Sequence, residues 1–152
     1  MINGDIIAFD PGDTTGVAIF NEKGQLLGLN QLPLEGDKGL IKWSARYERP
    51  VGVIIFETWV TFRQKAQAQT GSKQKAAQAI GAIKTMAVLK NATLIEQKPD
   101  IMKIATKWSG VKLPSDHSQS HQYAAYLHGF FWLHQQGMIN TKLENEGRFI
   151  ND

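Results

Sequence analysis

The seven-residue run Val51–Glu57, VGVIIFE, limits the folds open to this chain more than any other segment. A strand with one wet face alternates apolar and polar residues. A continuous apolar run belongs to a strand covered on both faces, as in the parallel sheets of α/β proteins. The run ends on an acid. Glu57 is costly to bury unless it pairs or binds a metal, and the plainer reading is that it emerges just past the sheet edge. Residues 6–10, IIAFD, repeat the pattern: a short apolar run, then Asp10, then the turn-forming Pro11-Gly12-Asp13. Where two such strands lie parallel and adjacent, both carboxylates leave the sheet at the same edge.

The remaining pattern builds an α/β domain around these two runs. Residues 15–20 (TGVAIF) read as a second strand, residues 21–24 (NEKG) as a hairpin turn, and residues 26–32 as a third strand, so the chain opens as a meander. Leu40, Trp43 and Tyr47 have helical spacing within residues 36–49. Ser72 is a candidate N-cap for a helix running to Lys90, with an apolar stripe of Ala76, Ile80, Ile83 and Ala87. Residues 93–97 form a fifth strand stopped by Pro99, and residues 100–108 a short helix ended by Ser109-Gly110. A last helix spans residues 118–136 and stops before Gly137. The order βββαβαβ followed by helices implies a five-stranded mixed sheet, an antiparallel meander continued by parallel strands and flanked by helices. Residues 1–140 fit one domain, and the polar segment 141–152 reads as a loose tail.

Composition narrows the function classes. No apolar run approaches the roughly 20 residues of a membrane span, and MINGDII lacks the pattern of a signal peptide. The chain has no cysteine, which excludes disulfides and thiolate metal sites and is compatible with a reducing cytoplasm. The net charge is +3 but unevenly spread. From residue 61 to 112 ten basic residues face only Glu96 and Asp100, leaving that segment about +8 and the rest about −5. A basic half beside a carboxylate-rich half suits a polyanion such as nucleic acid, and the bland alternative is a solvated lysine-rich surface.

Several residues carry candidate chemistry. Asp10, at a strand end beside a tight turn, is placed to hold a divalent cation, and Gly12, Thr14, Thr15 and Gly16 are small enough to let a phosphate approach. Asp10 and Asp13 also make ordinary turn residues. On the last helix His121 and Ala124 are three apart and share a face, with His128 a turn further. A helical histidine is usually structural, and of the two His121 is the better placed; Asp116 and His117 precede the helix and are within reach of the same site. After Glu57 comes an aromatic and basic stretch containing Trp59, Phe62, Arg63 and Lys65, followed by Lys73 and Lys75 on the next helix and Lys103 and Lys107 on the short one. These basic residues are the candidate phosphate contacts, and Phe62, ahead of Trp59, the candidate for stacking on a base.

Taken in order, IIAFDPGDTTGVAIF, VIIFE, the aromatic-basic loop, the helix around QAIGA, KPDIMK and the closing HQYAA resemble the motif series of RuvC-type Holliday-junction resolvases, over most of residues 5–135. The resemblance implies an RNase H-like fold. It also implies an endodeoxyribonuclease that resolves four-way and other branched DNA by paired nicks leaving 5′ phosphates, with roles in recombination and repair. Two Mg²⁺ or Mn²⁺ ions about 4 Å apart would be held by Asp10, Glu57, His121 and position 124. A twofold homodimer follows from the need to cut two strands symmetrically, with the small-residue face of the helix at residues 72–90 as the candidate interface. The short linker resembles bacteriophage-encoded members, acting in the host cytoplasm.

One departure stands out. Ala124 occupies the place of the fourth acidic ligand and cannot coordinate a metal. Either Asp116 takes the role, or activity is lost, or Ala124 replaces an Asp in an inactivated variant, which the otherwise intact flanking pattern favours. Other readings are an RNase H-like nuclease acting on RNA or hybrids, and a non-catalytic junction-binding module. DPGDTTG also resembles the phosphate loop of sugar kinases, but 152 residues cannot hold the two domains such proteins need.

Overall fold

The computed structural model describes residues 2–32, 37–58, 71–115 and 117–138. Five strands form one sheet: β1 (Asp5–Asp10), β2 (Thr15–Phe20), β3 (Leu26–Leu32), β4 (Val51–Glu57) and β5 (Thr93–Gln97), in the order β3-β2-β1-β4-β5. The helices are α1 (Asp37–Arg46), α2 (Gly71–Lys90), α3 (Ile101–Ser109) and α4 (His117–Gln135). The meander β1–β2–β3 is antiparallel, and β4 and β5 add in parallel to β1. The mixed sheet expected from the apolar runs is thus present, with β1 and β4 parallel and adjacent at its centre.

Strand alternation divides the core in two. Ile6, Ala8, Val53 and Ile55 face α3 and α4, packing with Ala125, Tyr126, Leu127, Phe130 and Leu133. Ile7, Phe9, Ile54 and Phe56 face α1 and α2, packing with Leu40, Ile83, Met86 and Ala87. Burying each of the large aliphatic side chains contributes about 1.5–3 kcal/mol, and both faces of β1 and β4 contribute. That two-sided burial is why VGVIIFE lacks polar alternation.

α3 ends as its sequence implies. Gly110 takes a left-handed conformation, with φ of 74°, and its N–H donates to the Thr106 carbonyl. Two helix starts differ from expectation. α2 begins at Gly71, so Ser72 lies within the first turn rather than capping it, and α4 begins at His117, which belongs to the helix rather than preceding it. Among the described residues no helix is long and apolar enough to cross a membrane.

Candidate metal-binding edge

Register and alternation bring three polar residues to one edge. Phe9 is the Cα partner of Phe56, so the next residues, Asp10 and Glu57, leave the sheet side by side. Glu57 in turn pairs with Gln97, the last residue of β5. Neighbouring strands lie about 4.8 Å apart. Asp10, Glu57 and Gln97 therefore form a short row along the carboxyl ends of three parallel strands. By alternation all three point to the face that α4 covers.

α4 meets this row twice. His121 Nδ1 lies 2.9 Å from Asp10 Oδ2, and His128 Nε2 lies 3.2 Å from Glu57 Oε2. The two histidines differ in setting. The His121 side chain is 38% exposed at the rim, whereas that of His128 is fully buried. His128 also places Nδ1 2.7 Å from Gln97 Oε1. Spacing alone ranked His128 as a structural residue and passed over Gln97; the pair stands directly behind Glu57. The seven-residue step between the histidines was visible in the sequence, but only the β4–β5 register identifies what lies opposite His128.

The start of α4 is pressed close to the sheet. A Cβ at Gly16 would stand 1.8 Å from the His121 carbonyl oxygen. Gly16 is the cross-strand partner of Asp10, so its lack of a side chain lets His121 sit over that carboxylate. This corrects the expectation that Gly16 opens the backbone to a phosphate, because the helix backbone fills that space. The Gln31 side chain of β3 accepts hydrogen bonds from the His121 and Gln122 N–H groups at 3.0 and 3.2 Å.

Electrostatics separate Asp10 from the other acid of its strand. Burial pushes the Asp10 carboxyl above its usual range; the His121 hydrogen bond opposes the shift and the nearby Glu57 charge adds to it. The hydrogen bond to Asp10 raises the His121 imidazole despite burial, with the Asp10 and Asp13 charges helping. At the far end of β1, burial also works to raise Asp5, but hydrogen bonds from Arg49 and Tyr47 outweigh it and hold that carboxyl below its usual range. Asp5 has a built-in cation; Asp10 faces a second carboxylate.

Two carboxylates that repel each other at a strand edge suit a hard divalent cation, which relieves the repulsion. Among the described residues no group of three or more acidic or histidine side chains converges on one point. That donor set fits Mg²⁺, which binds through one or two carboxylates and keeps water and phosphate oxygens as its other ligands. Ala124 is 7% exposed and, unlike Ala125, lies outside the apolar cluster beneath α4.

Of the expected phosphate contacts, Lys75 reaches the turn that follows Asp10, with Nζ 3.6 Å from Asp13 Oδ1. Lys73 lies in the first turn of α2, and Lys103 and Lys107 are exposed on α3. Trp59, Phe62, Arg63, Lys65 and Asp116 lie outside the described residues.

No family model and no curated protein matches the sequence. Among solved structures, Thermus thermophilus RuvC in complex with Holliday junction substrate is similar, with a TM-score of 0.59 and 14% identity over 88% of this chain and 97% of that chain. A second Thermus thermophilus RuvC structure has a TM-score of 0.57 at the same identity and coverage. The sheet order and flanking helices are those of the RNase H-like fold.

Proposed function

We propose that this chain is a metal-dependent endodeoxyribonuclease acting on four-way and other branched DNA, with Asp10 and Glu57 as its central carboxylates. The observation that carries the reading is their emergence side by side from adjacent parallel strands, each met by a histidine of α4. The similarity to a RuvC structure determined with a junction supports the substrate class, and the ten basic residues from 61 to 112, with Lys75 at the turn after Asp10, support a polyanion.

Asp10 and Glu57 would hold Mg²⁺ or Mn²⁺, with His121 at the rim. A bound divalent cation would polarise the scissile phosphate and favour ionisation of the attacking water. His121 spends Nδ1 on Asp10, leaving Nε2 as the ring nitrogen available to ligate or to move a proton. Lys75, at the lip of the same edge, orients a phosphate once Asp13 releases it. Hydrolysis joins the water oxygen to phosphorus and breaks the bond to the 3′ oxygen, giving a 5′ phosphate and a 3′ hydroxyl. A second ion needs a further ligand, which an acid at position 124 or Asp116 would supply.

Paired cuts call for a twofold dimer. Ala77, Gly81 and Val88 follow one exposed stripe of α2, and nothing lies within 4 Å of a Cβ built at Gly81. Ala79 points into the protein instead, at 0% exposure.

A second reading, a junction-binding module without catalysis, is favoured by Ala124 itself. One panel separates them: four-way, three-way, duplex and RNA–DNA hybrid substrates with Mg²⁺ and Mn²⁺. The nuclease reading expects nicks concentrated on branched DNA and abolished by Asp10→Asn. Tight junction binding with no cleavage by this chain or by Ala124→Asp supports the binding module. Preferential cutting of hybrids overturns the substrate assignment.

A further inference from the structure

The fully buried His128 makes two polar contacts, and their chemistry restricts where its protons sit. Nδ1 faces the Gln97 amide at 2.7 Å and Nε2 faces Glu57 Oε2 at 3.2 Å. Glu57 and Gln97 are cross-strand partners, and the Thr58 N–H donates to the Gln97 carbonyl at 2.6 Å, so both side chains are anchored on paired backbone. With Oε1 toward the ring, Gln97 takes the Nδ1 proton. A ring carrying that one proton then meets the Glu57 carboxylate lone pair to lone pair, and the buried Gln97 Nε2 has no hydrogen-bond partner among the described residues. A half-turn of the amide exchanges its two ends. Nε2–H then donates to Nδ1, the ring proton moves to the other nitrogen, and that N–H donates to Glu57. The turn leaves a buried carbonyl oxygen unpaired in place of a buried N–H, which is the more tolerable of the two.

We infer that Gln97 and His128 are positioning residues for Glu57: the Gln97 amide donates to Nδ1, holds His128 with its proton on Nε2, and that N–H fixes one Glu57 oxygen so the other is presented to a cation. The inference rests on the reading of Glu57 as a cation ligand. Hydrogen-bonded partners behind metal ligands fix the ligand's orientation, and losing one typically weakens metal affinity about 10- to 100-fold. It also explains why a helix buries a histidine against a strand-terminal acid where an apolar residue would pack more cheaply.

Nitrogen-15 NMR of the histidine rings in the intact protein tests this without any metal. The expected spectrum shows a proton on His128 Nε2 and none on Nδ1. A proton on Nδ1 overturns the arrangement, because Gln97 could then only accept there. Gln97→Glu replaces the donating amide with an acceptor and should pull the proton to Nδ1 or add a second. Gln97→Glu and His128→Phe should each weaken Mg²⁺ binding about 10-fold or more, with circular dichroism confirming that they fold. Unchanged affinity in a folded Gln97→Glu protein contradicts the positioning role. If the unmodified chain binds no Mg²⁺, the cation reading of the edge fails, whereas the ring spectrum still decides the hydrogen-bond arrangement.

Discussion

Asp5 and Asp10 stand at the two ends of one strand in opposite surroundings, and the contrast has measurable consequences. Asp5 is neutralised by Arg49, while Asp10 is raised by burial and by Glu57. An acid whose folded value is raised contributes most below its unfolded value, here 3.8, and loses that contribution as pH climbs through the folded value. His121, also raised, contributes fully below 6.5 and loses its share as pH climbs through its own folded value. Without divalent cation, stability should therefore fall across both windows. Asp10→Asn keeps an acceptor for His121 and removes the charge, so at neutral pH it should raise the stability of the protein. Thermal unfolding with and without Mg²⁺ checks this, and the gain should shrink when Mg²⁺ is present. Ala124→Asp makes the converse test. Beside a cation site it should fold and bring or raise Mg²⁺-dependent junction cleavage. In an apolar site the buried acid would cost about 1–3 kcal/mol or more, visible as a lowered melting temperature with no response to metal.

At the scale of elements, the legible parts of the fold were those with one dominant physical cause. VGVIIFE reads as a central strand because only burial on both faces tolerates such a run, and the hairpin turn at residues 21–24 reads from its turn residues. The row of Asp10, Glu57 and Gln97 was two-thirds legible, since two of its members end apolar runs on a charge. Gln97 was hidden because a neutral amide before Lys98-Pro99 looks like ordinary loop chemistry, and only strand register places it beside Glu57. The contacts of His128 were hidden for a related reason: helix spacing shows which residues share a face but not what that face meets. The start of α2 was legible only to within a residue, as helix ends are. One element-level expectation concerns the basic residues between Glu57 and α2 and those in the first turns of α2. Neutralising Arg63, Lys65, Lys73 and Lys75 together should weaken junction binding and flatten the slope of log affinity against log salt by about 3–4. An unchanged slope would make these residues a solvated surface.

For the whole molecule, the uneven charge and the exposed stripe of α2 act together. Under the proposed function, a basic segment of about +8 would draw a branched polyanion toward the carboxylate edge, and a second copy would bring a second edge for the second strand. Placing a charge in the α2 stripe, as in Gly81→Arg or Val88→Asp, should convert a dimer into monomers by analytical ultracentrifugation. It should also turn paired cuts into single nicks while leaving single-site cation binding intact. A wild-type monomer that still makes paired cuts would contradict that arrangement. The central claim, that Asp10 and Glu57 are two arms of one cation site, has a direct measurement. Free Mn²⁺ can be titrated by electron paramagnetic resonance against the wild type, Asp10→Asn, Glu57→Gln and the double variant. If both side chains hold the same ion, each single variant loses nearly all affinity and the double variant loses little more, a large coupling in the double-mutant cycle. Additive losses, or wild-type Mn²⁺ binding that survives both substitutions, would contradict the account.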